Sequence, residues 1–381
     1  MLNAIADALK MAGFMAWEIL WALVLGFLVS GAIQAVVSHS EMAKLLPDDK
    51  PRSIVKASLL GAASSSCSYA AVAIARSIFR KSGNFTAAMA FQFASTNLVI
   101  ELGILLAILL GWQFTAATWS GGIVMIILMV TLMRLFVRPK LVREAKLQAE
   151  RGIAGRMEGH ASMDMSVNDG PLWRRLTSSR GITAISHYYW MDWASVWLDV
   201  ALGLLLAGAA AAWVPHDIWA RVFDTHDPVM AKFIGPLIGP LIAVVTFVCS
   251  VGNVPLAAVL WNGGASFGGV IAFIFADLII LPILDIYRRY YGLRVAAILT
   301  VIFYAAMVGA GYVVELLFGA LHLVPVSRSA TVIIETIGWN YTTWLNLIAI
   351  TASVLLFWRF MRTGGPEMLR HMEQASNRQH V

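Results

Sequence analysis

Long apolar runs separated by short polar segments make up most of this chain. A helix needs about 20 apolar residues to cross the roughly 30 Å hydrocarbon core of a bilayer. Most of the runs reach that length; they cover residues 14–37, 54–79, 85–112, 115–137, 192–214, 233–261, 267–287, 295–321 and 340–361. The pattern predicts an all-α polytopic membrane protein.

Two of these runs are interrupted near their middle by small, polar and helix-breaking residues. The interruptions are Ser64-Ser65-Ser66-Cys67-Ser68 in the second run and Cys249-Ser250-Val251-Gly252-Asn253-Val254-Pro255 in the sixth. Non-helical backbone at membrane depth is stable only where protein or water satisfies its polar groups. Breaks at corresponding positions of two halves are the sequence sign of a transporter's binding site. We therefore expect the substrate to bind between these two segments.

The two halves of the chain resemble each other. A shift of 182 residues aligns Cys67 with Cys249, and the 36 ungapped positions 67–102 then contain ten identities. Upstream, a shift of 177 aligns two further pairs of glycines, Gly26 with Gly203 and Gly31 with Gly208. Coincidence in low-complexity apolar sequence is the alternative, but an internal duplication accounts better for matches at this density.

The distribution of charge predicts that the two halves have opposite orientations. The segment 138–190 contains nine Lys and Arg residues and is expected in the cytoplasm, whereas the acidic segment 215–232 is expected outside. Arg288 returns the chain to the cytoplasm, which requires an odd number of crossings after residue 232. A re-entrant hairpin at 233–261 followed by one span meets this requirement, and a matching hairpin at 54–80 makes the repeat inverted. Conventional full spans are the alternative.

These features divide the chain into five parts. They are a first transmembrane repeat (1–137), a cytoplasmic basic loop (138–190), a second transmembrane repeat (191–321), a further C-terminal transmembrane helix (322–363) and a cytoplasmic tail (364–381).

Composition excludes several other classes of protein. The chain is 59% apolar and 13% charged, whereas soluble domains are about 25% charged. The net charge of +6 follows from basic cytoplasmic loops and does not indicate nucleic-acid binding. Phosphate-binding loops, zinc-protease helices, Cys-x-x-Cys pairs and nucleophile elbows are all absent from the sequence. We therefore predict no enzyme activity and no cofactor.

The two cysteines are the only ones in the chain and occupy equivalent positions of the two interrupted runs. Thiolates bind soft species such as trivalent arsenic and Cu(I) better than hard ions. Cys67 and Cys249 are thus candidate ligands of one metal or metalloid substrate near the membrane midplane. The alternative is that each is a small buried residue that fills a tight turn.

Hydroxyl and amide side chains next to the cysteines are further candidates for substrate contact. They are Ser65, Ser66, Ser68, Ser250 and Asn253. Capping of the backbone groups that a helix break leaves free is their alternative role.

Acidic residues inside apolar runs are expected to be functional, because burying a charge is costly. Such residues are Glu18, Glu101, Asp277, Asp285 and Glu315. Glu101 and Asp277 lie closest to the duplicated core, and we predict that they couple transport to protons. The alternative is an interhelical ion pair, with Arg76 and Arg134 as candidate partners.

The Cys67-Ser68 pair and the block Cys249-Ser250-x-x-Asn253-Val254-Pro255 resemble a known family. It is the bacterial predicted-permease family that includes the organoarsenical efflux permease ArsP and the YraQ-type permeases, and the resemblance spans 15–135 and 192–315. It implies a multi-pass permease of the bacterial inner membrane that exports trivalent methylated or aromatic arsenicals. Such a compound has two thiol-reactive valences and an apolar substituent, which would suit two cysteines in an aromatic, Ser-rich cavity.

The sequence thus predicts a secondary transporter that exports a thiophilic metalloid species, such as a trivalent organoarsenical, by alternating access. One alternative is a permease for another small solute, such as a sulfur-containing anion, which would not need the cysteines. Another is a non-transporting membrane subunit that scaffolds a partner through 138–190. The expected partners are the substrate and the lipid bilayer. The glycines between Gly26 and Gly31 can pack helices within one chain or between protomers of a homo-oligomer.

Overall fold

The structure of the protein is a computed structural model. It describes residues 2–36, 46–64, 68–80, 83–150, 165, 167, 172–213, 228–246, 250–328, 330, 339 and 341–368. Every regular element within these residues is a helix, which confirms the predicted all-α class.

The described helices follow the apolar runs but are more numerous. In chain order they are α1 (Leu2–Val36), α2 (Pro51–Ser64), α3 (Ser68–Arg80), α4 (Phe85–Asn97), α5 (Ile100–Leu109), α6 (Trp112–Phe136), α7 (Pro139–Glu150), α8 (Leu172–Thr177), α9 (Ser179–Trp213), α10 (Pro228–Thr246), α11 (Ser250–Asn262), α12 (Phe267–Phe275) with a 3-10 turn (Ala276–Leu278), α13 (Leu281–Tyr291), α14 (Leu293–Ala320) and α15 (Tyr341–Arg362).

Several of these segments are long and apolar enough to cross a membrane. In the described ranges there are four by length and composition: Phe85–Leu109, Trp112–Phe136, Leu293–Ala320 and Thr342–Arg362. The bent pair α12–α13, with an angle of 42° at its break, provides a fifth if it counts as one span. Large apolar side chains such as Leu316, which is 73% exposed, cover their outer faces. An apolar surface of this kind is stable in lipid rather than water, so the protein is a multi-pass membrane protein.

Both predicted interruptions separate two helices. Run 54–79 forms α2 and α3, with residues 65–67 between them, and run 233–261 forms α10 and α11, with 247–249 between them. The intervening residues lie outside the described part of the chain.

Two further breaks were not predicted from the sequence. They separate α4 from α5 at Leu98-Val99 and the 3-10 turn from α13 at Ile279-Ile280. Val99 and Ile280 have extended backbone, with ψ angles of 149° and 148°. The residues at both breaks are apolar, but helix-breaking residues lie next to them: Asn97 directly precedes the first break, and Pro282 lies in the first turn of α13.

The order and bounds of the helices repeat at the shift found in the sequence. Adding 182 to the first residue of α4 gives 267, where α12 begins. The N-caps correspond as well: Asn84 accepts a hydrogen bond from the Ala87 N–H, and Ser266 accepts one from the Gly269 N–H. The internal similarity is therefore present in local structure and not only in residue identities.

The two ends of the α2–α3 pair lie together. The Asn84 N–H, directly before α4, donates to the Leu46 carbonyl before α2 at 2.8 Å. Arg134 at the end of α6 pairs with Asp49 at 2.9 Å. Gln148 of α7 donates to the Arg289 carbonyl at the end of α13. We refer to this part of the protein as the α7 end.

The outer ends of the α10–α11 pair, which are the start of α10 and the end of α11, lie away from the α7 end. A Cβ atom on Gly235, in the first half of α10, would lie 2.1 Å from Ser266 Oγ, so this part of α10 packs against the start of α12. Arg328, beyond the end of α14, donates to the Trp261 carbonyl in the last turn of α11. The 28-residue α14 starts near the α7 end and is about 42 Å long. The start of α10 and the end of α11 therefore lie at the opposite end of the protein, which we call the Arg328 end.

The segment 138–190, predicted as a loop, contains helices in its described part. These are α7, α8 and the first turns of α9. Leu141, Ala145 and Ala149 of α7 are buried at a spacing of four residues, which places one apolar face of this otherwise charged helix against the protein.

Candidate substrate site at the helix breaks

A buried hydrogen bond joins the two halves where their helices are broken. Ser68, the first residue of α3, donates from Oγ to Oδ2 of Asp277 at 2.6 Å. Both residues are fully buried. Asp277 lies in the 3-10 turn directly before the break at Ile279. The inner end of the first helix pair therefore contacts the broken helix of the second half.

Two further polar residues belong to this site. Thr96 and Asn97 end α4 at the break of the first half, and both are buried. The Asn97 amide Nδ2 donates to Thr96 Oγ1 at 2.8 Å, and both side chains lie close enough to interact with the Asp277 carboxyl. We call Ser68, Thr96, Asn97 and Asp277 the break cluster.

Several polar atoms at the breaks are buried without a hydrogen-bond partner among the described residues. They are Oδ1 of Asp277, Oδ1 of Asn97 and both amide atoms of Asn253. A buried polar group left unsatisfied costs about 1–3 kcal/mol, so native proteins supply a partner such as water or a ligand. These atoms are therefore candidates for binding a ligand that enters the site.

Asn253 lies in the first turn of α11, directly after the break at 247–249. Its helix packs against the 3-10 turn that contains Asp277. Each half therefore brings the start of an inner helix to the same 3-10 turn.

The structure describes some of the sequence-predicted site residues and not others. Ser65, Ser66, Cys67 and Cys249 lie outside the described residues. Ser250 is the first residue of α11, and only its backbone is described. The roles of these five residues stay predictions.

The two residues predicted to couple protons differ in their surroundings. Asp277 is fully buried and belongs to the break cluster, whereas Glu101 is partly exposed in the first turn of α5. Glu101 therefore follows the break of the first half by less than one helical turn. Its role in coupling stays a prediction.

Two other acidic residues inside apolar runs have structural partners. A Glu315 carboxylate oxygen accepts a hydrogen bond from the Gly268 N–H at the start of α12. Asp285 pairs with Arg288 and Arg289, each at 2.7 Å. These contacts are a hydrogen bond from a backbone N–H and ion pairs within one helix, so they differ from the interhelical ion pair with Arg76 or Arg134 that was the alternative for such acids. Arg134 pairs with Asp49 instead.

Sequence reasoning missed a second polar contact between the halves. Gln92 of α4 donates from Nε2 to the hydroxyl of Tyr287 on α13, and both side chains are fully buried. Gln92, Thr96 and Asn97 are polar residues within an apolar run, which is the signal that could have identified them. They are uncharged and do not lie next to the two cysteines in sequence, so neither of the patterns that identified the other candidates includes them.

A metal site is not defined by the described residues. They contain no cluster of three or more His, Cys, Asp or Glu side chains that could hold a metal ion. The predicted ligands Cys67 and Cys249 are not among them, so this prediction is untested.

The fold and the site together define a class of protein. Broken helices that bring buried polar groups together inside an apolar helical bundle are typical of membrane transporters. The arrangement of the break cluster therefore indicates a membrane transporter.

Comparison with known proteins narrows this class to one family. The chain belongs to the predicted-permease family ArsP_1, which matches residues 4–316. It is 58% identical over 346 residues to "Putative permease Rv2963" of Mycobacterium tuberculosis (strain ATCC 25618 / H37Rv), an alignment that covers 91% of this chain and 85% of that protein. No solved structure matches the chain. The family predicted from the Cys-Ser and Asn-Val-Pro residues is confirmed.

Proposed function

We propose that the protein is a secondary transporter of the bacterial inner membrane that exports a trivalent organoarsenical by alternating access. The hydrogen bond between Ser68 and Asp277 is the observation that carries the proposal. It joins the inner end of one half to the helix break of the other. Any movement of one half against the other must change this contact, which is the requirement for coupling a midplane site to alternating access.

The contacts at the two ends of the molecule support an inverted repeat. The α2–α3 pair has both outer ends at the α7 end, where Asn84 bonds to Leu46. The α10–α11 pair has its outer ends at the Arg328 end, where Gly235 lies against Ser266. Because the two halves are similar, each can adopt the conformation of the other. Since their helix pairs have their outer ends at opposite ends of the protein, this exchange would expose the break cluster to each side of the membrane in turn.

The position of the cysteines in the sequence supports a thiophilic substrate. Cys67 directly precedes Ser68, so their Cα atoms are about 3.8 Å apart, and Ser68 contacts Asp277. Cys249 directly precedes the first residue of α11, which packs against the same 3-10 turn. Two thiols near one buried cluster would bind a trivalent arsenical, R–As(OH)2, through two As–S bonds. The two hydroxyl groups on arsenic would leave as water and take the two thiol protons with them.

Asp277 is suited to couple this transport to protons. As a carboxylate it accepts the hydrogen bond from Ser68, and when protonated it becomes a donor itself. Proton binding would therefore alter the contact that joins the two halves, and the proton gradient could drive their relative movement.

The second candidate function is transport of a sulfur-containing anion, and the surroundings of Asn253 favour it. Its amide is buried without a partner among the described residues, and it lies at the start of α11, where backbone N–H groups favour an anion. This site would bind an oxyanion without the cysteines.

Uptake into everted membrane vesicles tests the proposal. Wild type is compared with Cys67→Ser, Cys249→Ser and the double variant, using trivalent phenylarsenical and a pH gradient. We expect wild type to accumulate the arsenical and each single variant to lose most of that uptake, because one thiolate cannot replace two. Thermal unfolding of each purified variant serves as the folding control.

The other outcomes would contradict the proposal in different ways. Wild-type arsenical uptake in the double variant would exclude a dithiol site. Cysteine-independent uptake of a sulfur-containing anion, with none of the arsenical, would favour the second candidate. The absence of uptake for every solute in folded wild-type protein would favour a scaffold subunit.

A further inference from the structure

Each helix pair is held at its outer end by a cation that lies outside the pair. At the α7 end, Lys146 Nζ donates to the carbonyl oxygens of Phe79 at 2.5 Å and Arg80 at 2.9 Å, in the last turn of α3. The same ammonium group lies over the Phe79 ring, 5.1 Å from its centroid. One side chain therefore binds both the backbone and the ring of the last turn.

The same contact occurs at the other end of the protein. Arg328 Nη1 donates to the carbonyl oxygens of Trp261 and Ala265, each at 2.9 Å, at the end of α11. Its guanidinium carbon lies over the Trp261 ring, 4.6 Å from the centroid. A cation thus binds the carbonyl and the ring of one aromatic residue at each end.

These two contacts are equivalent in the repeat. The shift of 182 that relates the halves takes Phe79 to Trp261 and takes Lys146 to Arg328. Lys146 lies in helix α7, whereas Arg328 lies in an irregular segment after α14. The contact between a cation and the carbonyl and ring of an aromatic residue therefore occurs in both halves, although only Lys146 lies in a helix. The helical structure around Lys146 is thus not the cause of the contact.

Aromatic rings lie beneath each cation. Phe79 packs against Phe85 with ring centroids 4.7 Å apart, and both contact Tyr291 of the second half, at 6.2 and 5.2 Å. The residues equivalent to Phe79 and Phe85 in the second half are Trp261 and Phe267. We call Phe79, Phe85 and Tyr291 the α7-end gate.

The corresponding rings close the opposite end. Trp261 and Phe267 have centroids 6.2 Å apart, and both contact Phe114 of the first half, at 5.2 and 4.7 Å. We call Trp261, Phe267 and Phe114 the Arg328-end gate. At each end, two equivalent rings of one half meet a ring of the other half, so relative movement of the halves must separate them.

We propose that Lys146 and Arg328 hold these two gates closed, one at each end of the transport pathway, and that transport requires each cation to release its aromatic residue in turn. The structure has both contacts formed, which corresponds to a state closed at both ends. The proposal rests on the proposed alternating-access function but not on the identity of the substrate.

The two native cysteines provide a test that needs no substrate. They lie beside the inner helix breaks in sequence and are the only thiols in the chain. A membrane-impermeant maleimide is applied to the protein in sealed vesicles, from the α7 side or from the Arg328 side. The measured quantity is the rate at which the thiols are modified.

We expect the two cations to act on opposite sides. Lys146→Ala should raise the labelling rate about fivefold from the α7 side only, and Arg328→Ala should do so from the Arg328 side only, because an attraction of this size changes a gating equilibrium by that order. Lys146→Arg and Arg328→Lys keep the charge and should label like wild type. Arg143→Ala removes an exposed cation from the same helix α7 and should also have no effect.

Three results would overturn the proposal. They are wild-type labelling rates in both alanine variants, a rise from both sides in either variant, and a rise in Arg143→Ala equal to that in Lys146→Ala. Lys146→Met and Arg328→Met keep the aliphatic stem and repeat the test if an alanine variant does not fold. Wild-type protein that labels as expected but transports no tested solute would instead contradict the proposed function alone.

Discussion

Asp277 is the residue at which the two halves depend on each other most directly. Its carboxyl is fully buried, one oxygen accepts a hydrogen bond from Ser68, and the other has no partner in the described part of the chain. The position equivalent to Asp277 in the first half is Ser95, which instead donates to the Gln92 carbonyl of its own helix. The break cluster is therefore asymmetric, and only one half provides an acid to it.

The substitution Asp277→Asn tests the role of this acid. The Asn side chain can still accept the Ser68 hydrogen bond, so we expect the protein to fold. It cannot take up a proton, so uptake driven by a pH gradient should fall by more than an order of magnitude in everted vesicles.

Asp285→Asn is the matched control for this substitution. Asp285 lies one helix further along, and its side chain is 40% exposed and paired with two arginines. We expect near wild-type uptake in this variant, since surface ion pairs contribute little. Wild-type uptake in Asp277→Asn would exclude the proposed coupling.

At the scale of elements, the outer helices of the two pairs approach the next helix of their half very closely. A Cβ atom on Gly61 of α2 would lie 2.3 Å from the Phe91 carbonyl of α4, and one on Gly239 of α10 would lie 2.3 Å from the Gly269 carbonyl of α12. Small residues permit such backbone contact between helices in membranes, where dispersion forces and weak polar contacts drive association. The pairs are therefore positioned by helix packing within each half.

Gly61→Ala and Gly239→Ala should destabilise the protein. The clashing atoms belong to the backbone and cannot move like a flexible side chain, so we expect a loss of about 1–3 kcal/mol in the free energy of unfolding. The measurement is chemical unfolding in detergent.

Gly319→Ala on α14 is the control, because nothing lies within 4 Å of the added methyl group. It should be neutral or slightly stabilising, since alanine is the better helix former. Equal effects of all three substitutions would show that helix propensity, and not close packing, determines the result.

At the scale of the whole molecule, the outer ends of the α2–α3 pair and of the α10–α11 pair lie at opposite ends of the protein. Asn84 bonds to Leu46 at the α7 end, and Arg328 bonds to Trp261 at the other. The 28-residue helix α14 separates the ends. From this arrangement we predict that α2 and α3 enter and leave on one face of the membrane.

Single cysteines introduced into the Cys67→Ser/Cys249→Ser background test this topology. Lys50, before α2, and Arg80, at the end of α3, are both exposed. We expect Lys50→Cys and Arg80→Cys to react with an impermeant maleimide from the same face. Val326→Cys, at a fully exposed position, should react from the other face. Labelling of Lys50→Cys and Arg80→Cys from opposite faces would mean that α2 and α3 together cross the membrane.

The sequence by itself determined the class of protein and the family. Membrane insertion depends on the length and hydrophobicity of each run, which are local properties, and this is why Phe85–Leu109 was predicted as apolar and is one of the spanning segments. The interruptions at Cys67 and Cys249 were predicted from the serine, glycine and proline residues around them, and both cysteines lie outside the described residues.

Only the tertiary structure showed which residues meet at those breaks. Ser68 and Asp277 are 209 positions apart, and their contact depends on how the two halves pack. The bends at Leu98 and Ile279 lie inside long apolar runs, where the neighbouring Asn97 and Pro282 are compatible with a break but do not specify one. Nothing in the sequence distinguishes Lys146 and Arg328 from other basic residues outside the apolar runs. Their correspondence is recognised only from the structure, in which Lys146 lies over the Phe79 ring and Arg328 over the equivalent Trp261 ring. Contacts between distant positions follow from the packing of whole helices, which no local pattern specifies.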